Sequence, residues 1–220
     1  MKISVVIPTY QEASCIERVI AEIPKHVVDE IVIIDKSSPD GTADLARRAG
    51  AAVYTQEGKG YGNAIMQGVR AATGDIVVIM DADGSHDPAD IPRLVEKAKE
   101  GYEYVSASRY FYGSKPTDDD TWIRFAGNML FTWLTNILHG TKVTDSLFTF
   151  IAASKKALLD LNLTSPGFEF CTEIIVKARK KGLKFIEIPT HEKQRYGGDT
   201  KVNAFWHGLK ILRMILRRYS

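Results

Sequence analysis

One stretch constrains this chain more than any other: Gly74-Asp75-Ile76-Val77-Val78-Ile79-Met80-Asp81-Ala82-Asp83. A turn glycine opens it, an unbroken apolar run follows, and two carboxylates one residue apart close it. A short run with no polar face reads as a strand covered on both sides. If the backbone stays extended to its end, the period of two sends Asp81 and Asp83 to one face. Two hard oxygen ligands at the open end of a buried strand suit Mg2+ or Mn2+, and such a cation would hold a diphosphate. A plain polar turn uses the same residue types, so the rest of the chain has to decide.

The segments before it repeat one theme. Ile3 to Ile7 and Ile31 to Ile34 are continuous apolar strands, and Ala51 to Tyr54 is a short third. Helical spacing separates them: Ile16, Val19, Ile20 and Ile23, then Leu45 to Ala49, then about Tyr61 to Ala72. Asp87-Pro88 opens another helix, with Ile91, Leu94, Val95 and Ala98 on its apolar face, and Tyr104 to Ser108 is a further strand. The expected fold class is therefore α/β, a mostly parallel central sheet with helices on both faces. Ligands bind beyond the carboxyl ends of such strands. Thr9-Tyr10-Gln11-Glu12, Asp35-Lys36 and Asp81-Ala82-Asp83 all sit at strand ends and would line one crevice.

With 220 residues, 45% of them hydrophobic, the chain suffices for one domain with a sizeable core. A net charge of +2 gives no support for nucleic-acid binding. Two cysteines, Cys15 and Cys171, make neither a disulfide framework nor a zinc set and favour a reducing compartment. The apolar run that ends at Pro8 is too short for a signal h-region, and no run approaches the roughly 18 apolar residues of a membrane span.

After Ser108 the pattern changes. A loop from Arg109 to Pro116 leads to Asp118-Asp119-Asp120, read as charge favouring a helix N-terminus rather than as a metal cluster. The helix from about Trp122 to Leu138 is apolar on most sides, so it is buried or lies against something greasy. Leu147 to Ala152 and Lys184 to Ile188 read as strands, with a helix from about Phe168 to Lys181 between them. A last helix, about Asn203 to Arg218, carries Phe205, Leu209, Leu212, Ile215 and Leu216 on one face and Lys210, Arg213, Arg217 and Arg218 largely on the other. The expected division is a catalytic domain over 1–202 and an amphipathic basic helix over 203–220, suited to an anionic membrane surface or to packing on the protein's own core. Gly58-Lys59-Gly60-Tyr61-Gly62 lacks the spacing of a dinucleotide fingerprint, although a helix N-terminus after a lysine is a plausible diphosphate site.

Val5-Val6-Ile7-Pro8-Thr9-Tyr10-x-Glu12, Ile33-Ile34-Asp35-x-Ser37-Ser38-Pro39-Asp40-Gly41-Thr42 and Gly74-Asp75-x4-Met80-Asp81-Ala82-Asp83 together resemble the family 2 glycosyltransferases, which have the GT-A fold. Asp87-Pro88, Ser108-Arg109-Tyr110 and the Arg195-x5-Lys201 loop resemble the dolichol-phosphate mannose synthase branch, which includes polyprenyl-phosphate glucosyltransferases. The resemblance implies that Pro8, Thr9, Tyr10, Glu12, Asp35 and Lys36 lie along the nucleotide, with Lys59 near the donor. It makes Asp81, Ala82 and Asp83 the D-x-D that holds metal and diphosphate. It gives Arg109, Arg124 and Asn128 to the acceptor phosphate, and Arg195 and Lys201 to a mobile loop that clamps phosphates. Arginine suits this work because its planar fork binds phosphate oxygens in pairs.

Three positions depart from the family pattern. Lys36 stands where a second Asp is usual, and a lysine can only donate, so the base cannot be carried over. Ser85 replaces a frequent Gln, and Thr149-Phe150 replaces Gly followed by an aromatic. The implied reaction is inverting transfer of a hexose from a nucleotide diphosphate sugar, of the GDP-mannose or UDP-glucose type, to a polyprenyl phosphate. Its expected place is the cytoplasmic face of a membrane, as a peripheral protein. A phosphate acceptor is largely ionised at neutral pH and needs little base. A hydroxyl acceptor would need a carboxylate base, for which Asp145 is the candidate, with a structural helix-capping or loop-fixing role as its alternative. The alternatives are a family 2 enzyme acting on a glycan or glycolipid hydroxyl, and a degenerate nucleotide-binding protein without turnover. A sugar-nucleotide pyrophosphorylase should begin with a glycine-rich phosphate loop, which Pro8-Thr9-Tyr10 is not.

Overall fold

A computed structural model describes residues 1–114, 117–118, 121–197 and 204–217. The first half is a succession of strand and helix: β1 (Ile3–Thr9), α1 (Ile16–Glu22), β2 (Glu30–Asp35), α2 (Thr42–Arg48), β3 (Ala52–Thr55), α3 (Tyr61–Ala71) and β4 (Ile76–Ile79). A 3-10 turn at Pro88–Asp90 then leads into α4 (Ile91–Lys99) and β5 (Tyr104–Ser108). The second half holds α5 (Trp122–His139), β6 (Ile151–Ser154), α6 (Lys155–Asp160), α7 (Phe170–Lys180), β7 (Phe185–Pro189) and α8 (Ala204–Ile215).

The strands form one sheet in the order β3-β2-β1-β4-β6-β5-β7. Every neighbouring pair is parallel except those made by β6, which runs against both β4 and β5. Alternation divides the side chains between two cores. Val5, Ile7, Ile33 and Val78 face α1, α2 and α4, whereas Val6, Ile34, Val77 and Ile79 face α3, α6 and α7. The expected fold class, helices on both faces of a mostly parallel sheet, is what the chain adopts.

Two local expectations are corrected. Strand β4 stops at Ile79, so Asp81 and Asp83 lie on a turn, with Gly84 at φ +84°, and not on one face of an extended strand. The strand expected from Leu147 starts at Ile151, and the unexpected α6 follows it directly, capped by Ser154, whose Oγ accepts the Ala157 N–H. At α5 the cap is Thr121, whose hydroxyl accepts the Arg124 N–H, while Asp118 bonds His191 at 3.0 Å. Asp119 and Asp120 lie outside the described residues.

Helix α8 packs on α5 and α7. Ile211, Met214 and Ile215 are buried against Phe131, Leu134 and Leu147, and His139 Nε2 meets the Ile215 carbonyl at 2.7 Å. The inward face therefore differs from the expected one: Leu209 and Leu216 point to solvent, as does Trp206. Among the described residues, no helix is long and apolar enough to cross a membrane.

Gly68 sets how closely α3 lies on the sheet, because a Cβ there would come 2.3 Å from Val6 Cγ1. Alanine normally gains about 0.5–1 kcal/mol over glycine inside a helix, whereas overpacking costs about 1–3 kcal/mol. The clash wins here, so Gly68→Ala should lower the urea midpoint by an amount equivalent to about 1 kcal/mol or more. A raised midpoint would show that α3 can lift away from β1.

Candidate active site

The parallel strands deliver their carboxyl ends to one edge of the sheet, and a cavity of about 390 Å³ opens there. Pro8, Thr9, Tyr10 and Glu12 enter it from the end of β1 and Lys36 from the end of β2. Gln56, Gly60, Tyr61 and Ala64 enter around the start of α3, and Asp81, Ala82 and Asp83 form its centre. Gly167, Phe168, Arg195 and Gly197 close it, together with His207 and Lys210 of α8. Most of the expected donor residues thus come together. Two do not line the cavity. Lys59 lies outside the lining. Asp35 is buried beneath it, accepting from Thr9 Oγ1 at 2.8 Å, Ser38 N at 2.8 Å and Ser38 Oγ at 2.7 Å. Its carboxylate fixes the turns after β1 and β2, where Gln11 and Ser37 both have positive φ.

At one end, Lys36 Nζ sits 4.4 Å from the centre of the Tyr10 ring. An ammonium over an aromatic face is an electrostatic attraction, and it holds a donor-only group at the cavity wall. At the centre, Tyr61 donates its hydroxyl to Asp81 Oδ1 at 2.7 Å. Asp83 Oδ1 accepts from both Ser85 N at 3.0 Å and Ser85 Oγ at 2.7 Å, and its Oδ2 lies 3.3 Å from Arg195 Nε. Burial, then repulsion from Asp83, pushes the Asp81 carboxyl up to about 7. A divalent cation would relieve that repulsion, and the oxygen-only donor pair is of the right chemistry. Among the described residues no group of three or more His, Cys, Asp or Glu side chains could hold a metal. The pair therefore fits an ion that completes its shell with phosphate oxygens and water, as Mg2+ commonly does.

His86 was not foreseen. It is buried, stacked on Phe150 with ring centres 5.0 Å apart, and edge-on to Phe148 at 4.5 Å. Its Nδ1 accepts the Asp81 N–H at 3.1 Å, which puts the ring proton on Nε2, and burial lowers its pKa to about 4. A neutral imidazole thus props the Asp81 backbone from below.

Behind His86 lies a second cluster. Arg109 Nε and Nη2 donate to Asp145 at 2.7 and 3.2 Å, and Nη1 donates to Glu192 at 3.1 Å. Asn128 Nδ2 donates to Asp145 at 3.1 Å, and Thr117 Oγ1 to Glu192 at 2.5 Å. Burial alone would raise the Asp145 carboxyl, but Arg109 beside it holds it below the usual range. Asp145, expected as the candidate base, is thus a fully buried, ion-paired carboxylate with little affinity for a proton. Arg124 is exposed near the start of α5, and Lys201 lies outside the described residues.

The described part of the Arg195 loop is latched over the carboxylate turn. Tyr196 N–H donates to the Asp83 carbonyl at 2.9 Å, and its hydroxyl donates to Glu22 at 2.7 Å. Arg18 stacks 3.6 Å from the centre of its ring. Gly84 is required beneath it, since a Cβ there would sit 2.4 Å from that ring. Sequence reasoning missed Tyr61, His86, Phe168, Glu192, Tyr196, His207 and Lys210. Only His86, close behind the carboxylate pair, had a local signal.

A sheet of this order with a carboxylate pair at the end of its central strand defines a GT-A-fold glycosyltransferase. The chain belongs to the glycosyl transferase family 2, whose model matches residues 4–161. It is 32% identical to glycosyltransferase AglJ of Haloferax volcanii over 98% of this chain and 71% of that protein. A dolichyl-phosphate hexose transferase of the same organism is 30% identical, over 98% and 92%. A dolichol-phosphate mannosyltransferase of Pyrococcus furiosus is 29% identical, over 93% and 60%. Among solved structures, glucosyl-3-phosphoglycerate synthase from Mycobacterium tuberculosis, in complex with Mn2+, UDP and glucosyl-3-phosphoglycerate, superposes with a TM-score of 0.77. It is 24% identical, over 98% of this chain and 78% of that one.

Removing one partner of a buried ion pair leaves a stranded charge, at a cost of about 3–5 kcal/mol. Arg109→Ala should therefore lose stability on that scale in chemical denaturation, and the double variant Arg109→Ala with Asp145→Asn should recover much of it. A single variant as stable as the parent would mean that water or another cation already serves Asp145.

Proposed function

We propose that the protein transfers a hexose, with inversion, from a nucleotide diphosphate sugar to a polyprenyl phosphate at a membrane surface. The observation that carries this reading is an uncovered apolar face beside the cavity. On α5, Trp122, Ile123, Leu130, Trp133, Ile137 and Leu138 are half or more exposed, and on α8 so are Trp206, Leu209 and Leu216. Apolar and aromatic surface of this extent on two adjacent helices suits the headgroup boundary of a bilayer. The second helix also lines the cavity, so a lipid chain on that face has its phosphate end near the crevice. Relatives named as dolichyl-phosphate and dolichol-phosphate transferases support the same acceptor class.

In this reading Asp81 and Asp83 would hold Mg2+ or Mn2+, which acts as a Lewis acid on the charge developing on the leaving nucleoside diphosphate. Tyr61 and His86 fix the side chain and the backbone of Asp81. Tyr10 and Lys36 receive the nucleotide end, and Arg195 stands over the carboxylate pair where diphosphate oxygens would lie. The acceptor phosphate is assigned to Arg109, Arg124, Asn128 and the loop lysine Lys201. Glu192 occupies the Arg109 nitrogen that a phosphate would take, so the acceptor competes with Glu192 for it. A phosphate dianion attacks without general-base help, which agrees with the absence of a proton-accepting role for Asp145.

Incubation with UDP- and GDP-hexoses, Mn2+ and a short polyprenyl phosphate should give a lipid-linked hexose of inverted anomeric configuration. Transfer to 3-phosphoglycerate or a glycan hydroxyl, with none to the lipid phosphate, would overturn the acceptor assignment. Asp83→Ala should abolish turnover, and chelation of divalent metal should do the same. Near-normal rates after chelation would remove the metal from the reaction. On vesicles containing anionic lipid, Trp133→Glu together with Ile137→Glu should reduce flotation at least several-fold, and unchanged binding would discard this face as the membrane contact.

A further inference from the structure

Helix α8 was expected to be an appendage, yet two of its side chains face the crevice. His207 and Lys210, one turn apart, line the same cavity as Asp81, Asp83 and Arg195. The helix is held in this position from the other side. Ile211, Met214 and Ile215 are 7%, 2% and 1% exposed against α5 and Leu147, and the Ile215 carbonyl is bonded to His139. Residues on the adjoining stripe are thereby fixed at the cavity wall.

His207 also reaches the carboxylate pair through a chain of contacts. Its ring meets Phe168 edge-on with centres 5.0 Å apart, Phe168 stacks on Tyr61 at 4.8 Å, and the Tyr61 hydroxyl is bonded to Asp81. The cations around the cavity are differently engaged. Lys36 lies on the Tyr10 ring and Arg195 is paired with Asp83. Among the described residues no carboxylate lies within ion-pair distance of Lys210. A flexible ammonium at a cavity wall, facing a site that takes phosphates, is a donor for phosphate oxygen.

We propose that α8 is a wall of the substrate site, in which Lys210 binds a phosphate oxygen and His207 is a positioning residue acting on Asp81 through Phe168 and Tyr61. The inference rests on the donor and acceptor classes proposed above. The phosphate is either one from the donor diphosphate or that of the acceptor, and the two are separable by experiment.

The test is calorimetric titration of the full-length protein with UDP and GDP in the presence of Mn2+, alongside steady-state kinetics with the nucleotide sugar and polyprenyl phosphate. Loss of a charge-assisted hydrogen bond should weaken the affected ligand about tenfold to a hundredfold. If Lys210→Ala raises the nucleotide Kd by that factor, Lys210 serves the donor diphosphate. If the nucleotide Kd holds and KM for the lipid phosphate rises, it serves the acceptor. Lys210→Glu should be worse in the same column, and Lys210→Arg should restore most of the loss. Arg48→Ala, an exposed cation on α2 outside the cavity lining, should change neither. His207→Ala should weaken Mn2+-dependent nucleotide binding, with rescue by His207→Phe, which keeps the ring on Phe168. Lys210 and His207 variants that match the parent in both measurements would overturn the inference. A parent protein that binds neither nucleotide would instead overturn the donor assignment on which it rests.

Discussion

Two carboxylates held against each other in a buried crevice are the constraint that the rest of this structure accommodates. Burial, then repulsion from Asp83, pushes the Asp81 carboxyl up to about 7, and a cation would relieve that repulsion. Each flank of the pair has its own support. Tyr61 and His86 fix Asp81, the first through its side chain and the second through its backbone. Ser85 and Arg195 fix Asp83. None of these four contacts comes from the strand that carries the pair.

The antiparallel strand explains how the second cluster reaches the first. Because β6 runs opposite to its neighbours, its N-terminal end lies at the same sheet edge as the carboxyl ends of β4 and β5. That reversal brings Phe148, Phe150 and Asp145 beneath the carboxylate turn. Phe148 and Phe150 contact His86, and Asp145 orients Arg109, whose guanidinium also lies 4.7 Å from the Phe148 ring centre. The cavity and the arginine cluster are thus two sides of one aromatic partition.

The second helical layer has a divided allegiance. Helix α8 buries one stripe on α5, turns another to the cavity and leaves a third to solvent. One rigid rod thus carries both an exposed apolar surface and part of the cavity wall. The latch at Tyr196, wedged over Gly84 between Arg18 and Glu22, closes the opposite rim in the same passive manner.

Fold class and the meeting of the strand-end polar residues in one crevice were legible in the sequence, because both follow from short-range pattern. Continuous apolar runs such as Ile76 to Ile79 and Ile31 to Ile34 can only be strands covered on both faces. Asp81 and Asp83 follow one of them directly. The motif order also carried the family. The sequence misjudged points set by partners distant along the chain. Periodicity carried β4 to Asp81, but the strand stops at Ile79 and the backbone bends beyond it, with the Asp81 N–H bonded to His86 and Gly84 at φ +84°. Lys59 stood beside a phosphate-like turn but lies outside the cavity lining. Asp145 could be read as a base or as a loop-fixing residue, and burial against Arg109 decides for the second. His207 and Lys210 gave no local signal, since a helix can show its polar face to solvent or to a pocket with the same spacing. Local periodicity fixes which residues must be covered; only tertiary packing decides what covers them, and burial and neighbouring charge then set what each polar group can do.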